Sequence, residues 1–430
     1  MIKLLATGDL HLGRSSTAIS AGGVLPTREV WNLMVDYAIR HQADAILLSG
    51  DIIDRENRFF EAVGALLDGF DKLQEAGIAV FMVSGNHDFD VLPSIITEKH
   101  SGMIHLLGQN GAWEEKSFER NNTAISFVGW SFPTQHVFDS PLSDLADKPL
   151  NAANIRIGLL HGDLFAASHY APLNISDLRR KGVQFWLLGH IHKPFQNVEQ
   201  GVEIHYPGSP QALSPKEKDT HGPLWLEISQ SGEIRIRHLA LSPVRYEDLR
   251  IDVSETENEH GVRSLLLNTL EDRTKEIRAE EMMPQQLVFD LHVSGSYAEP
   301  DAILSIFGQN LQDFDRNLDG MAVRIRKAHV HVTPAIGDIS ELAKQASPVG
   351  LLADYILKLE QNSDAPEVVA LSKAWLKQYE QLSTQSAYQP LRQEGRDRSP
   401  VENHKELGKD YLLDTAYRLL GEMLQQTREN

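Results

Sequence analysis

The feature that most constrains this chain is an apolar run that ends beside glycine and then offers a carboxylate, amide or imidazole. It occurs five times in the first half: Leu5-Ala6-Thr7-Gly8-Asp9-Leu10-His11, Leu47-Leu48-Ser49-Gly50-Asp51, Val83-Ser84-Gly85-Asn86-His87, Leu159-Leu160-His161-Gly162-Asp163 and Leu187-Leu188-Gly189-His190-Ile191-His192. Short, uninterrupted apolar runs bounded by turn signals predict strands buried on both faces. In sheets of this kind ligands gather beyond the carboxyl ends of the strands, where turns let side chains converge. Glycine at those turns allows a sharp bend and a close backbone approach.

The offered atoms are carboxylate and amide oxygens and imidazole nitrogens. With no cysteine in the chain, thiolate sites, disulfides and cysteine nucleophiles are excluded. Oxygen and imidazole donors suit Mn²⁺, Mg²⁺, Fe²⁺ or Zn²⁺. Seven such groups (Asp9, His11, Asp51, Asn86, His161, His190, His192) exceed what one ion holds, so two ions sharing a carboxylate is the economical arrangement.

The pattern between these runs places them in an α/β fold. Val30, Trp31, Met34, Val35 and Ala38 recur at helical spacing after the first strand, and Phe59, Val63, Leu66, Leu67, Phe70 and Leu73 after the second. From about residue 103 the rhythm changes to strands and turns, closing in a predicted hairpin over 222–241. The expectation is a layered β-sandwich core flanked by helices, over 1–245. A strand–helix–strand–helix–strand series predicts a small α/β capping domain over 246–335. A helical C-terminal region follows at 336–430, with helices over 339–359, 367–382 and 409–426 and a polar linker at 383–404.

In order along the chain, Asp9-x-His11, Gly50-Asp51-x-x-Asp54, Gly85-Asn86-His87-Asp88, His161 and Gly189-His190-x-His192 resemble the calcineurin-like metallophosphoesterase superfamily. The resemblance implies a ligand set of Asp9, His11 and His192 for one divalent ion and Asn86, His161 and His190 for the other, with Asp51 bridging. It implies that His87 stands over the substrate as a hydrogen-bond or proton donor and that Asp54 orients it. Asp88 and Asp163 read as turn or supporting residues.

Finer features choose among substrates. Asp9-Leu10-His11-Leu12-Gly13, the insert from Asp163 to Trp186, His192-Lys193-Pro194 and Tyr206-Pro207-Gly208-Ser209-Pro210 look like the SbcD type of DNA repair exonuclease. That resemblance implies hydrolysis of phosphodiester bonds at DNA ends with Mn²⁺, homodimers, and a partner ATPase of the SbcC type with long coiled coils. The final helices are the expected docking segment. Two rival readings stand beside it: a phosphatase or phosphodiesterase for nucleotides or phosphoproteins, and a scaffold that tethers DNA ends. Arg55 is followed by Glu56 where phosphoprotein phosphatases carry glycine, which weakens the first rival.

Charge runs against broad electrostatic DNA binding. The net charge is −19; residues 1–245 carry 21 basic and 28 acidic residues, and most of the excess acid lies beyond them. Arg14 and Lys193, with Arg179-Arg180-Lys181, are the local candidates for phosphate contacts. Without cysteine, a signal-type leader or an apolar run long enough for a bilayer, the expectation is a soluble, cytoplasmic protein with no membrane partner.

Overall fold

The computed structural model describes the chain except residues 18–24, 58–59, 97–101, 151–154, 166–167, 281–282, 309–313, 336–337, 384–400 and 430. The first strands, β1 (Ile2–Thr7), β2 (Ala45–Ser49), β3 (Ala79–Val83) and β4 (Ile104–Leu106), run parallel to one another. Helices α1 (Arg28–Arg40) and α2 (Phe60–Glu75) connect them, as the helical spacing predicts. A second sheet takes β5 (Glu114–Arg120), β6 (Thr123–Trp130), β7 (Ile155–His161), β8 (Phe185–Gly189), β9 (Phe195–Glu199) and β10 (Val202–Tyr206) in the order β5-β6-β7-β8-β10-β9. The hairpin β11 (Leu224–Ile228) and β12 (Ile234–His238) then returns to the first sheet, pairing antiparallel with β1.

Alternation along each strand sorts its side chains into layers. Leu4, Ala6, Leu47 and Phe81 face the space between the sheets, where they meet Phe127, Ile157, Leu159 and Leu187. Phe81 and Phe127 have ring centroids 4.2 Å apart across that space. Leu5, Ile46, Leu48 and Met82 face the other way and pack against Val30, Trp31, Leu66 and Phe70 of the helices. The outer face of the second sheet is covered by its own loops through Trp130, Trp186 and Tyr206. Two parallel-rich sheets packed face to face thus bring their strand ends to one edge. That is the expected layered α/β sandwich.

Strand β5 has no counterpart in the apolar pattern. Its sequence is Glu-Glu-Lys-Ser-Phe-Glu-Arg, and only Phe118 is buried, the composition of a charged edge strand that resists further pairing.

The chain packs as two compact units. One comprises Met1–Asp248, Glu271–Asp290 and Phe314–Arg326; the other comprises Leu249–Leu270, Leu291–Asp313 and Lys327–Asn430. The stretch after 246 therefore contributes to both units. It contains β13 (Val244–Asp252), α3 (Glu259–Arg278), β14 (Gln286–Tyr297), α4 (Pro300–Phe307), β15 (Asp315–Leu318) and β16 (Met321–Pro334), with sheet order β13-β14-β16-β15. The second of these helices ends at Phe307, and β15 is a short strand with no apolar run to mark it in the sequence.

In the second unit the single helix expected over 339–359 is broken in two, at Ile339–Leu342 and Pro348–Glu360. Ser347 begins the new helix by accepting a hydrogen bond from the Gly350 N–H at 3.1 Å, with Pro348 at the first helical position. The last two helices run Pro366–Ser383 and Val401–Glu429. The latter takes in Val401–His404, which composition assigns to the polar linker; residues 384–400 of that linker lie outside the described residues. Val349, Ala353 and Ile356 pack on Leu420.

Candidate metal centre

Five parallel strands deliver the predicted groups to one edge of the sandwich. Asp9 and His11 follow β1, Asp51 and Asp54 follow β2, Asn86 and His87 follow β3, His161 ends β7, and His190 and His192 follow β8. The turns there are held by backbone bonds, with Asp9 N–H donating to Gly50 O at 3.0 Å and His11 N–H to Asp51 O at 2.9 Å. Gly50 has φ +88°, and a Cβ there would lie 2.7 Å from His161 Nδ1, so only glycine lets the two sheets' strand ends meet. Asp9, His11 and Asp51 hold φ near +50° and His190 holds +101°, left-handed values that are strained for non-glycine residues.

The donors converge. His11 Nε2 lies 3.1 Å from His192 Nε2, and Asp9 joins them with ligand atoms all within 4.8 Å of one another. His161 Nε2 lies 3.1 Å from Asn86 Oδ1 and 3.4 Å from Asp51 Oδ2. Asp51 Oδ2 is also 3.9 Å from His11 Nε2, which puts this carboxylate between the two groups. Buried imidazole lone pairs that face one another beside buried carboxylates are the donor chemistry of a divalent cation site, and the residues fit one.

His190 is placed differently from the other six. Its backbone N–H donates to the Asp9 carboxylate at 2.9 Å, while its ring packs against His161 and Tyr170. Its Nε2 lies 4.0 Å from Asp163, and it stands outside the acid–imidazole groups that close within 4.8 Å. Burial, with His161 beside it, pushes this imidazole down to about 4, so it stays neutral.

His87 sits over the centre, its side chain 30% exposed, with Nε2 3.9 Å from Asp51 Oδ2 and its ring edge-on to His11 at 4.9 Å. Asp54 Oδ1 lies 3.4 Å from His87 Nδ1 and 3.5 Å from His11 Nδ1. Although burial opposes it, these two imidazoles hold the Asp54 carboxyl far below its ordinary value. Burial pulls His87 down, but the carboxylates of Asp54, Asp51 and Asp88 outweigh it and raise its pKa. Asp88 accepts from Gly85 N–H at 2.8 Å and Ile52 N–H at 2.6 Å, tying the β3 turn to the β2 turn. Burial first, then the Asp51 charge, pushes Asp88 up to about 7.

One supporting residue escapes sequence reasoning. Glu217 Oε1 lies 3.1 Å from His192 Nδ1, while its Oε2 accepts from Ser209 Oγ at 3.1 Å and from Leu213 N–H at 2.7 Å. A carboxylate on the far nitrogen fixes a ligand imidazole's tautomer and orientation. Glu217 lies in Pro-Lys-Glu-Lys-Asp, which reads as a solvated loop, and no local pattern gives it away.

Of the basic candidates, Arg14 and Lys193 are exposed. Arg179, Arg180 and Lys181 are committed elsewhere: Arg179 bonds Asn197 and Glu199, Arg180 bonds Asp177, and the Lys181 ammonium bonds Leu145 O and Asp147. These three make ion pairs within the fold and supply no phosphate-gripping stripe.

Strand-end geometry and donor chemistry together define a candidate site for divalent cations. Residues 2–194 match the family model described as calcineurin-like phosphoesterase. Among curated proteins, the chain is 30% identical over 252 residues to the uncharacterized metallophosphoesterase YhaO of Bacillus subtilis, covering 57% of this chain and 59% of that protein. It is 26% identical over 240 residues to the DNA double-strand break repair protein Mre11 of Nanoarchaeum equitans, covering 51% and 64%. A dimetal phosphatase from Danio rerio aligns in structure at 14% identity over 55% of this chain and 98% of that one, with a TM-score of 0.37. The chain thus spans about three fifths of the length of the curated relatives it matches.

Proposed function

We propose that this protein is a Mn²⁺-dependent phosphodiesterase acting on DNA ends. The observation that carries the reading is the convergence of Asp9, His11, Asp51, Asn86, His161 and His192 at one sandwich edge, with the His87–Asp54 pair above them. Low-identity likeness to proteins named for DNA double-strand break repair supports DNA as the substrate.

In this reading Asp9, His11 and His192 would hold one ion and Asn86 and His161 the other, and the Asp51 carboxylate lies between these two groups of donors, with His190 beside the second. The pair of ions supplies positive charge against the phosphate oxygens and makes water a stronger acid. The chain's own residues do the rest. His87 presents Nε2 toward the place where a phosphodiester lies, and Asp54 stabilises its protonated form from the Nδ1 side. As the water oxygen bonds to phosphorus and the P–O ester bond breaks, His87 gives its proton to the departing oxygen. The water's own proton leaves to solvent. Burial of Asp9, Asp51 and His161 keeps competing water from the donors. Arg14 and Lys193, exposed near the ends of their motifs, are proposed to meet flanking phosphates.

The three-part division at 245 and 335, a homodimer, an SbcC-like ATPase docked on the helices after 336, and a cytoplasmic location complete the proposal. Among the described residues no helix is long and apolar enough to cross a membrane.

The test is degradation of end-labelled duplex DNA by the full chain with Mn²⁺, alongside bis-p-nitrophenyl phosphate and a His87→Ala control. Shortening that needs both Mn²⁺ and His87 is the expected result. Cleavage of the small diester with intact DNA, even with the ATPase added, would move the substrate to nucleotides or phosphoproteins.

A further inference from the structure

A run of aromatic rings leads from solvent into the centre. Phe138 is 64% exposed. Its ring lies 4.7 Å from His169 and 6.4 Å from His136. His136 lies 5.5 Å from Tyr170, and Tyr170 lies 5.1 Å from His190, whose ring is 5.3 Å from that of His161. His136 and His169 are exposed and Tyr170 is half-buried.

Backbone bonds fix this arrangement. Val137 N–H donates to His169 O and Ala171 N–H donates to Val137 O, both at 2.8 Å, in a parallel bridge between Val137 and Tyr170. The bridge puts the flanking residues Phe138 and His136 on the outer side while Val137 packs toward the core of the second sheet. A single exposed ring needs no explanation. Exposed rings whose inner neighbour touches a residue of the metal centre are a different matter, because whatever covers them has its other end at the reacting bond.

We infer that Phe138, His136 and Tyr170 form a stacking subsite for an unpaired base of the strand being cut. The inference rests on the phosphodiesterase reading and narrows its substrate to ends with single-stranded character. Bases inside a duplex are covered on both faces by their neighbours, so an aromatic platform grips only bases that are splayed out. Stacking also needs no positive charge. That suits a chain of net charge −19 whose Arg179, Arg180 and Lys181 are spent in ion pairs. Because every base has a π-face, the subsite tolerates all sequences.

The test compares two single-stranded oligonucleotides, identical except that one carries abasic residues over the last positions at both ends. With Mn²⁺, wild type is expected to cleave the base-bearing ends about five- to hundredfold better in kcat/KM, the worth of one to two stacks, chiefly through KM. Phe138→Ala should bring that ratio toward one, and Phe138→Trp should restore it. In a His87→Ala background with Mn²⁺, 2-aminopurine placed at the ends should be quenched on binding and lose that quenching when Phe138→Ala is added. A wild type that does not distinguish the two oligonucleotides, or a preference and quench that survive Phe138→Ala, would overturn the subsite. Cleavage of neither oligonucleotide nor the small diester would instead overturn the phosphodiesterase reading beneath it.

Discussion

The two halves of the centre are held in place by different means. On the His161 side the imidazole sits at the end of β7, fully buried, with Nδ1 3.0 Å from Ser49 O of β2. A backbone carbonyl fixed in a sheet sets its tautomer. On the His192 side the orienting group is the Glu217 side chain, carried by a loop that Ser209 and Leu213 pin to the same carboxylate. The first half is as rigid as the sandwich. The second rests on a charged, replaceable side chain.

Asp51 joins the halves, so its loss should have the largest effect. Asp51→Ala is expected to weaken both ions by more than the roughly hundredfold that removal of an outer partner costs. Metal analysis after dialysis checks this, and unchanged occupancy would remove Asp51 from between the halves. His87→Ala belongs to neither half. Turnover on bis-p-nitrophenyl phosphate should fall about 10²–10⁴-fold while bound Mn²⁺ stays constant, and loss of an ion would make His87 a ligand.

Glu217→Gln addresses the distinction itself. The Mn²⁺ affinity of one half should drop about 10–100-fold in calorimetric titration, with the other half unmoved. Equal weakening of both would erase the difference between them. The smallest effect is on stability. Gly50→Ala forces a side chain into φ +88° and against His161 Nδ1, and should cost about 1–3 kcal/mol in denaturant unfolding. A neutral result would mean that the strand-anchored half is less rigid than its backbone bonds imply.

This contrast also explains what was legible in the sequence. The strand-anchored groups announce themselves, because a buried parallel strand must be a continuous apolar run and its ligand must follow the run directly. The order β1, β2, β3, β7 and β8 and the residues after each strand follow from that. Glu217 does not, because its role depends on a loop folding back 25 residues from His192, a separation that leaves no periodicity. The edge strand β5 is hidden for a related reason: its partner strand pairs its backbone, while Phe118 is its one buried side chain and the rest are mostly charged. The break before Pro348 was readable, since Ser-Pro is a helix start, but the apolar spacing on either side conceals it. His190 shows the limit of motif reasoning, which identifies the residue but not that its ring turns toward Tyr170 and Asp163.

The most direct measurement is the Mn²⁺ stoichiometry of the full wild-type chain by calorimetric titration. Two ions per chain with distinguishable affinities, one of them moved selectively by Glu217→Gln, is the expected result. A single ion per chain, or two that respond alike to that substitution, would contradict a two-part centre joined by Asp51.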